Sequence, residues 1–205
     1  MERRLTPRGR ARRRQLMTAA TELFARQGYH PTSVGDIIGA LGVGKGVFYW
    51  YFGSKEELFI EMLRGAQLDL RRRQAHAIAD EDDPLRRIEL GIRATMAWSE
   101  EHRDLLVLSH FAAADERFAP VLREGQDVAV EDTARHLKEG MVAGRIPDAD
   151  PVLLAHGILG VTGHLARTFI RDRGEPGGTM TEVAVSFCLG GLLGARRDPE
   201  PQPDV

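Results

Sequence analysis

Between Thr32 and Leu58 the chain reads TSVGDIIGALGVGKGVFYWYFGSKEEL, where one lysine, small residues and tyrosines crowd a short helical pattern at 45–51. Lys45 offers a cation, Gly46 a bare surface open to close approach, Val47 an apolar tip, and Tyr49 and Tyr51 hydroxyls on rigid rings. Such groups suit a polyanion with readable base edges. An ammonium reaches a phosphate or a guanine edge, and an aliphatic tip touches a thymine methyl. Thr32 and Ser33 precede the helical pattern at 34–41, where free amides and a hydroxyl bind phosphate. Lys55 stands in the same way at the start of the next pattern. Phe48 and Phe52 read as core, whereas Trp50 reads equally as groove wall and as surface packing.

Other chemistries find less support. Gly39 to Lys45 fits G-x-x-x-x-G-K, the start of a phosphate-cradling loop. That loop needs a preceding strand and a Ser or Thr after the lysine; here the preceding residues are helical and Gly46 follows. No G-x-S-x-G elbow or H-E-x-x-H pair occurs, so no catalytic residue is assigned and the chain does not read as an enzyme. The histidines, His30, His76, His102, His110, His136, His156 and His164, contain no i, i+4 pair for a metal. No metal or cofactor is expected.

The charge distribution points the same way as the motif. Net charge is only −2, yet Arg3, Arg4, Arg8, Arg10, Arg12, Arg13 and Arg14 crowd the N-terminus against one acid, Glu2. Such asymmetry marks a localised polyanion-binding surface, and Arg10 and Arg12 are expected at the DNA; taken alone, the run reads equally as a solvated tail. Asp80, Glu81, Asp82 and Asp83 cluster before Pro84 at a boundary. With 28% charged and 42% apolar residues, the composition is that of a globular protein with a sizeable core. No apolar run approaches the roughly 18 residues of a membrane span, and no signal-peptide core follows the arginines. A single cysteine, Cys188, excludes an intramolecular disulfide and fits a reducing cytoplasm.

Positioning these groups requires helices, and helical spacing recurs throughout. Leu16, Ala19, Ala20, Leu23 and Phe24 form one apolar face of a first helix that Gly28 and Pro31 end. Ser33 with Asp36 caps the helix at 34–41, and Gly42 closes it before the helix at 45–51. Ser54-x-x-Glu57 is a reciprocal capping signal opening a fourth helix to about 78. Further helices are expected near 84–101, 102–114, 118–142, 150–173 and 179–195, with 174–178 an exposed loop. The proline-rich end, 198–205, is expected to be disordered.

These residues resemble the TetR family of bacterial transcriptional regulators. The resemblance rests on Gly28-Tyr29, Thr32-Ser33-Val34-Gly35-Asp36-Ile37, Gly42-Val43, Gly46, Phe48-Tyr49-Trp50-Tyr51-Phe52 and Ser54-Lys55-Glu56-Glu57-Leu58. Beyond them only helix layout and length agree. The sequence departs from the pattern at Gly44, which replaces a serine N-cap, and at Ile38 and Leu41, which replace small residues.

The resemblance implies an all-α fold of about nine helices: an N-terminal three-helix module with a helix-turn-helix, then a larger helical ligand-binding and dimerisation domain. Boundaries are expected at 1–55, 56–197 and a tail, 198–205. It implies phosphate contacts for Tyr49 and Tyr51 and a small-molecule pocket in the middle helices. Met62, Met96, Trp98, His102, His110, Phe111 and Phe118 are the candidates to line it, and each singly also reads as core. The last two helices are apolar on several faces and so need cover on several faces. A second subunit is expected to supply it over Ile158, Leu159, Leu165, Phe169, Phe187, Leu189 and Leu192. The expected partners are therefore operator DNA, a second copy and a small-molecule effector. The function read is a cytoplasmic DNA-binding regulator, a repressor released from a palindromic operator by that effector. The alternatives are a helical small-molecule-binding protein without specific DNA recognition and, less supported, an enzyme.

Overall fold

A computed structural model describes residues 5–194; Arg3, Arg4 and the proline-rich tail at 198–205 lie outside the described residues. Among the described residues the chain forms nine α-helices and one π-helical segment, with no strand. They fall into two compact units: residues 5–67 with 104–122, and residues 68–103 with 123–194.

The first unit opens with α1 (Pro7–Gln27). Thr6 caps it by accepting from the Gly9 amide at 3.1 Å, Pro7 begins it, and Leu16, Ala20 and Phe24 bury its apolar face. At α2 (Val34–Leu41) the expected capping box is complete: Ser33 Oγ accepts from Asp36 N, and Asp36 Oδ2 accepts from Ser33 N at 2.7 Å. Gly42 ends α2 at φ 62°, a left-handed conformation that favours glycine. The turn leads directly into α3 (Lys45–Tyr51), whose N-cap Gly44 makes no side-chain cap bond. At α4 (Lys55–Ala77) the capping signal is rearranged: Ser54 Oγ accepts from Glu57 N, but Glu57 Oε2 takes the Gly53 amide rather than that of Ser54.

The unit is not the continuous 1–55 stretch expected. It takes in α4 as far as Gln67 and a later stretch, 104–122. That stretch holds all but the first residue of α6 (Arg103–Ala114), the corner after it, and the start of α7 (Ala119–Val142). Aromatic packing is the reason. The Phe59 and Phe118 rings lie 4.6 Å apart, and Tyr29 sits 4.9 Å from Phe59, 5.1 Å from Phe118 and stacked at 5.5 Å on Phe111. Without 104–122, Tyr29 and Phe59 would face water, against a transfer free energy of roughly 1.5–3 kcal/mol per large apolar side chain.

The second unit packs the rest of α4 and α7 with α5 (Pro84–Glu101), α8 (Pro151–Leu165), the π-helical segment Ala166–Asp172 and α9 (Gly177–Gly194). Asp83 and Asp150 cap α5 and α8, each ahead of a proline at the first helical position. Across α5 and α9, Arg93 donates to both carboxylate oxygens of Glu182, at 2.6 and 3.1 Å. Two expectations need correction here. The helix predicted over 150–173 is α-helical only to Leu165, after which its turns widen to π geometry; nothing in the local sequence explains the change. The exposed loop predicted at 174–178 ends at Pro176, because Gly177 begins α9 and is buried. A Cβ there would crowd the Glu100 side chain, 3.1 Å from its Cβ, so the close approach to α5 favours glycine.

Candidate nucleic-acid interface

The turn at Gly42 holds α3 against α2, and Phe48, fully buried, pins α3 to the core by its inner face. The opposite face is open. Lys45 and Gly46 are exposed, Tyr49 and Trp50 are 55% and 51% exposed, and Val47 and Tyr51 are half-buried. Tyr51 reaches back to the first turn of α1, its hydroxyl 3.7 Å from where a Cβ on Gly9 would stand. The arginines of that end of α1 therefore lie beside α3. Arg10 is exposed, with one guanidinium nitrogen donating to Leu5 O at 2.7 Å; Arg12 is half-buried. Chemically this is a cationic, aromatic surface with bare backbone at its centre, suited to phosphates and base edges.

Three residues expected to touch DNA are occupied within the protein. Thr32 is completely buried; its hydroxyl donates to Gly28 O at 2.7 Å and accepts from Gln27 Nε2 at 3.1 Å, leaving none for a phosphate. The Ser33 hydroxyl accepts from Asp36 N and donates to Asp36 Oδ2 at 2.7 Å, which leaves its backbone position but not a free hydroxyl. Lys55 turns inward. Its ammonium donates to Tyr29 O at 2.9 Å and Thr32 O at 2.7 Å and lies 4.3 Å from the centre of the Tyr29 ring. Burial, reinforced by the nearby Arg117 cation, pulls the Lys55 pKa down from its ordinary value. Lys55 is thus a brace for the 29–32 turn, its charge spent on carbonyls that no helix satisfies.

Two residues of this unit have structural roles that the sequence pattern does not show; there Arg13 reads only as part of the arginine run. Arg13 lies over the Phe52 ring at 5.0 Å and pairs with Glu61, tying α1 to α4. Arg117 lies 5.5 Å from the Tyr29 ring centre and pairs with Asp115 at 2.7 Å. Each partner is distant in sequence or belongs to a corner, so no local periodicity marks either one.

The sequence model of bacterial regulatory proteins of the tetR family matches residues 16–62, which take in α2 and α3 but not the arginine end of α1. The chain is 27% identical over 194 residues to the transcriptional repressor KstR2 of Mycobacterium tuberculosis, covering 89% of this chain and 93% of that one. It is 23% identical over 190 residues to YdgC, an uncharacterized HTH-type transcriptional regulator of Bacillus subtilis, covering 88% and 92%. Among solved structures, a putative TetR-family regulator from Syntrophomonas wolfei superposes with a TM-score of 0.81 at 25% identity, over 90% of this chain and 96% of the other. The chain belongs to the TetR family. It is a DNA-binding, helix-turn-helix transcriptional regulator.

In this TetR-family chain the residues expected to line one pocket divide between the two units. Met62 and Phe118 are buried in the first unit's core, Phe111 packs against them, and His110 is exposed. Met96 and Trp98 are buried in the second, where Trp98 Nε1 donates to Asp69 Oδ2 at 2.8 Å and the His102 ring stacks on the indole at 4.5 Å. Filling the space beside Tyr29 is what commits Phe111 and Phe118 to packing.

The expected subunit contacts are also redistributed. Ile158 and Leu192 are buried within the protomer, at 7% and 2% exposure; Leu159, Leu165, Phe169 and Leu189 are half-buried. Only Phe187 of that set is open, at 66%, joined by Leu153, Val183 and Leu193, which periodicity does not single out. Among the described residues no helix is long and apolar enough to cross a membrane.

Proposed function

We propose that the protein is a homodimeric repressor that reads a palindromic operator with α3 and leaves it when a small-molecule effector binds. The observation that carries the reading is the open face of α3, with Lys45, Gly46, Val47, Tyr49, Trp50 and Tyr51 displayed while the Thr32, Ser33 and Lys55 side chains are locked beneath. One short helix contacts too few bases for useful specificity. Two, held about one DNA turn (~34–36 Å) apart by a two-fold axis, read a palindrome. The exposed sides of α8 and α9 supply that axis. Leu153, Gly157, Gly160 and His164 line one side of α8, and Val183, Phe187, Gly190 and Gly194 one side of α9, at helical spacing. A Cβ added at any of those four glycines would meet nothing within 4 Å, so packing inside the protomer does not require them bare. A close-packed second copy does.

Release of DNA needs an effector that binds the non-operator conformation more tightly. Helices α4 and α7 each run from one unit into the other and would carry that coupling. KstR2 of M. tuberculosis is described as a repressor, which favours repression here.

A mobility shift on the DNA upstream of the protein's own coding sequence tests the reading. Lys45→Ala should weaken operator binding by ~1–3 kcal/mol and relax preference at one position if the ammonium reads a guanine edge, or weaken all sequences evenly if it meets phosphate. Unchanged affinity in Lys45→Ala and Tyr49→Phe alike would remove α3 from the interface. Replacing Arg8 and Arg10 by glutamine tests the arginine end of α1. The slope of log affinity against log salt should become shallower by about 0.9 for each phosphate no longer neutralised. An identical slope would leave those arginines as a solvated end of α1 with no part in DNA binding.

A further inference from the structure

Alongside its polar groups the reading helix carries a shallow, open and largely apolar depression. Gly46, Val47, Trp50 and Tyr51, spaced to share one side of α3, line an open notch of about 290 Å³. Its floor is bare backbone, for a Cβ on Gly46 would meet nothing within 4 Å. Its wall is the indole of Trp50, set on edge against the Tyr51 ring with centroids 4.5 Å apart and planes at 80°. Tyr51 is itself held against the start of α1. The indole is thus braced from one side and left half-exposed on the other, with Val47 beside it.

We propose that this notch seats the 5-methyl edge of a thymine in the major groove, making Trp50 and Val47 the residues that select thymine at one position of each operator half-site. The inference rests on the DNA-binding reading and deepens it. Exposed Lys45 at the start of α3 and the arginines of α1 attract phosphates, which brings the notch to the groove wall. Along that wall the thymine methyl is the apolar group on offer; the other bases present amines, carbonyls and ring nitrogens. A cytosine or adenine amine set against the indole face would lose water and gain no acceptor, which costs free energy. A methyl there buries apolar surface on both sides.

The test begins with duplexes selected from a random pool by the full-length protein. Each thymine of the selected operator is then replaced by deoxyuridine, which deletes the methyl and leaves the pairing intact. One thymine per half-site should prove methyl-sensitive, with a loss in wild-type affinity of about three- to tenfold, the scale of one buried methyl group. Trp50→Ala and Val47→Ala should each abolish or sharply reduce that sensitivity while keeping the wild-type salt slope. Circular dichroism melts check that both fold, and Trp50→Phe should retain part of the effect. Selective binding with no methyl-sensitive thymine would overturn the proposal and leave the regulator reading standing. So would a sensitivity that persists in both alanine variants. A protein that enriches no sequence from the pool would overturn both.

Discussion

Phe187→Arg should convert the protein to a monomer with its fold intact and lower operator affinity by about 10²–10⁴-fold, the gain that linking two binding modules confers. Phe187 is 66% exposed within the protomer, so the substitution leaves no cavity in the core. If the proposed two-fold axis passes near Phe187, however, the isologous interface brings that side chain against its own copy. Two guanidinium groups would then share a site emptied of water, at a cost of several kcal/mol. Leu192→Arg is the instructive contrast. Leu192 is 2% exposed in the protomer, and a charge there should unfold the second unit itself. Sedimentation and a thermal melt on both variants separate the cases. Phe187→Arg sedimenting as a dimer with wild-type operator affinity would move the interface elsewhere.

Lys55→Met should destabilise the first unit by about 2–4 kcal/mol, since hydrogen bonds to a charged group contribute roughly 1.5–3 kcal/mol each and the carbonyls left behind are partly buried. The Lys55 ammonium bonds to the carbonyls of Tyr29 and Thr32 and lies over the Tyr29 ring. Tyr29 in turn carries the packing of Phe59, Phe111 and Phe118. Losing the brace should therefore loosen the turn that enters α2 and the seat of 104–122 together. Hydrogen exchange at amides of 28–34 and 111–118 should quicken in concert while the amides of α9 keep their protection. A phosphate-contacting lysine would behave oppositely, with full stability and weaker DNA binding. That outcome would restore the phosphate-binding role that its position after Ser54 suggests.

The sequence was a sound guide wherever a structure is decided within one or two turns. Ser33 and Asp36, Gly42, Pro84 and Asp150-Pro151 start or stop helices through groups only a few residues apart, and α2, α3 and α5 fall where those signals place them. The open, cationic and aromatic α3 was legible in part: residue type marked Phe48 as core and Lys45 and Tyr49 as contacts, but Trp50, equally groove wall or packing in the sequence, was placed on the open face only by the fold. Tertiary structure decided what depends on distant partners. The Lys55 ammonium turned inward because carbonyls 23 and 26 residues away converge on it, and no local pattern distinguishes that from a phosphate contact. Segment 104–122 joined the DNA-reading unit because Phe111 and Phe118 complete a cluster begun by Tyr29. On α8 and α9, apolar residues surround the helix, so periodicity carries no direction. Only the packing of α5, α8 and α9 determines that Ile158 and Leu192 face inward while Leu153 and Phe187 face out.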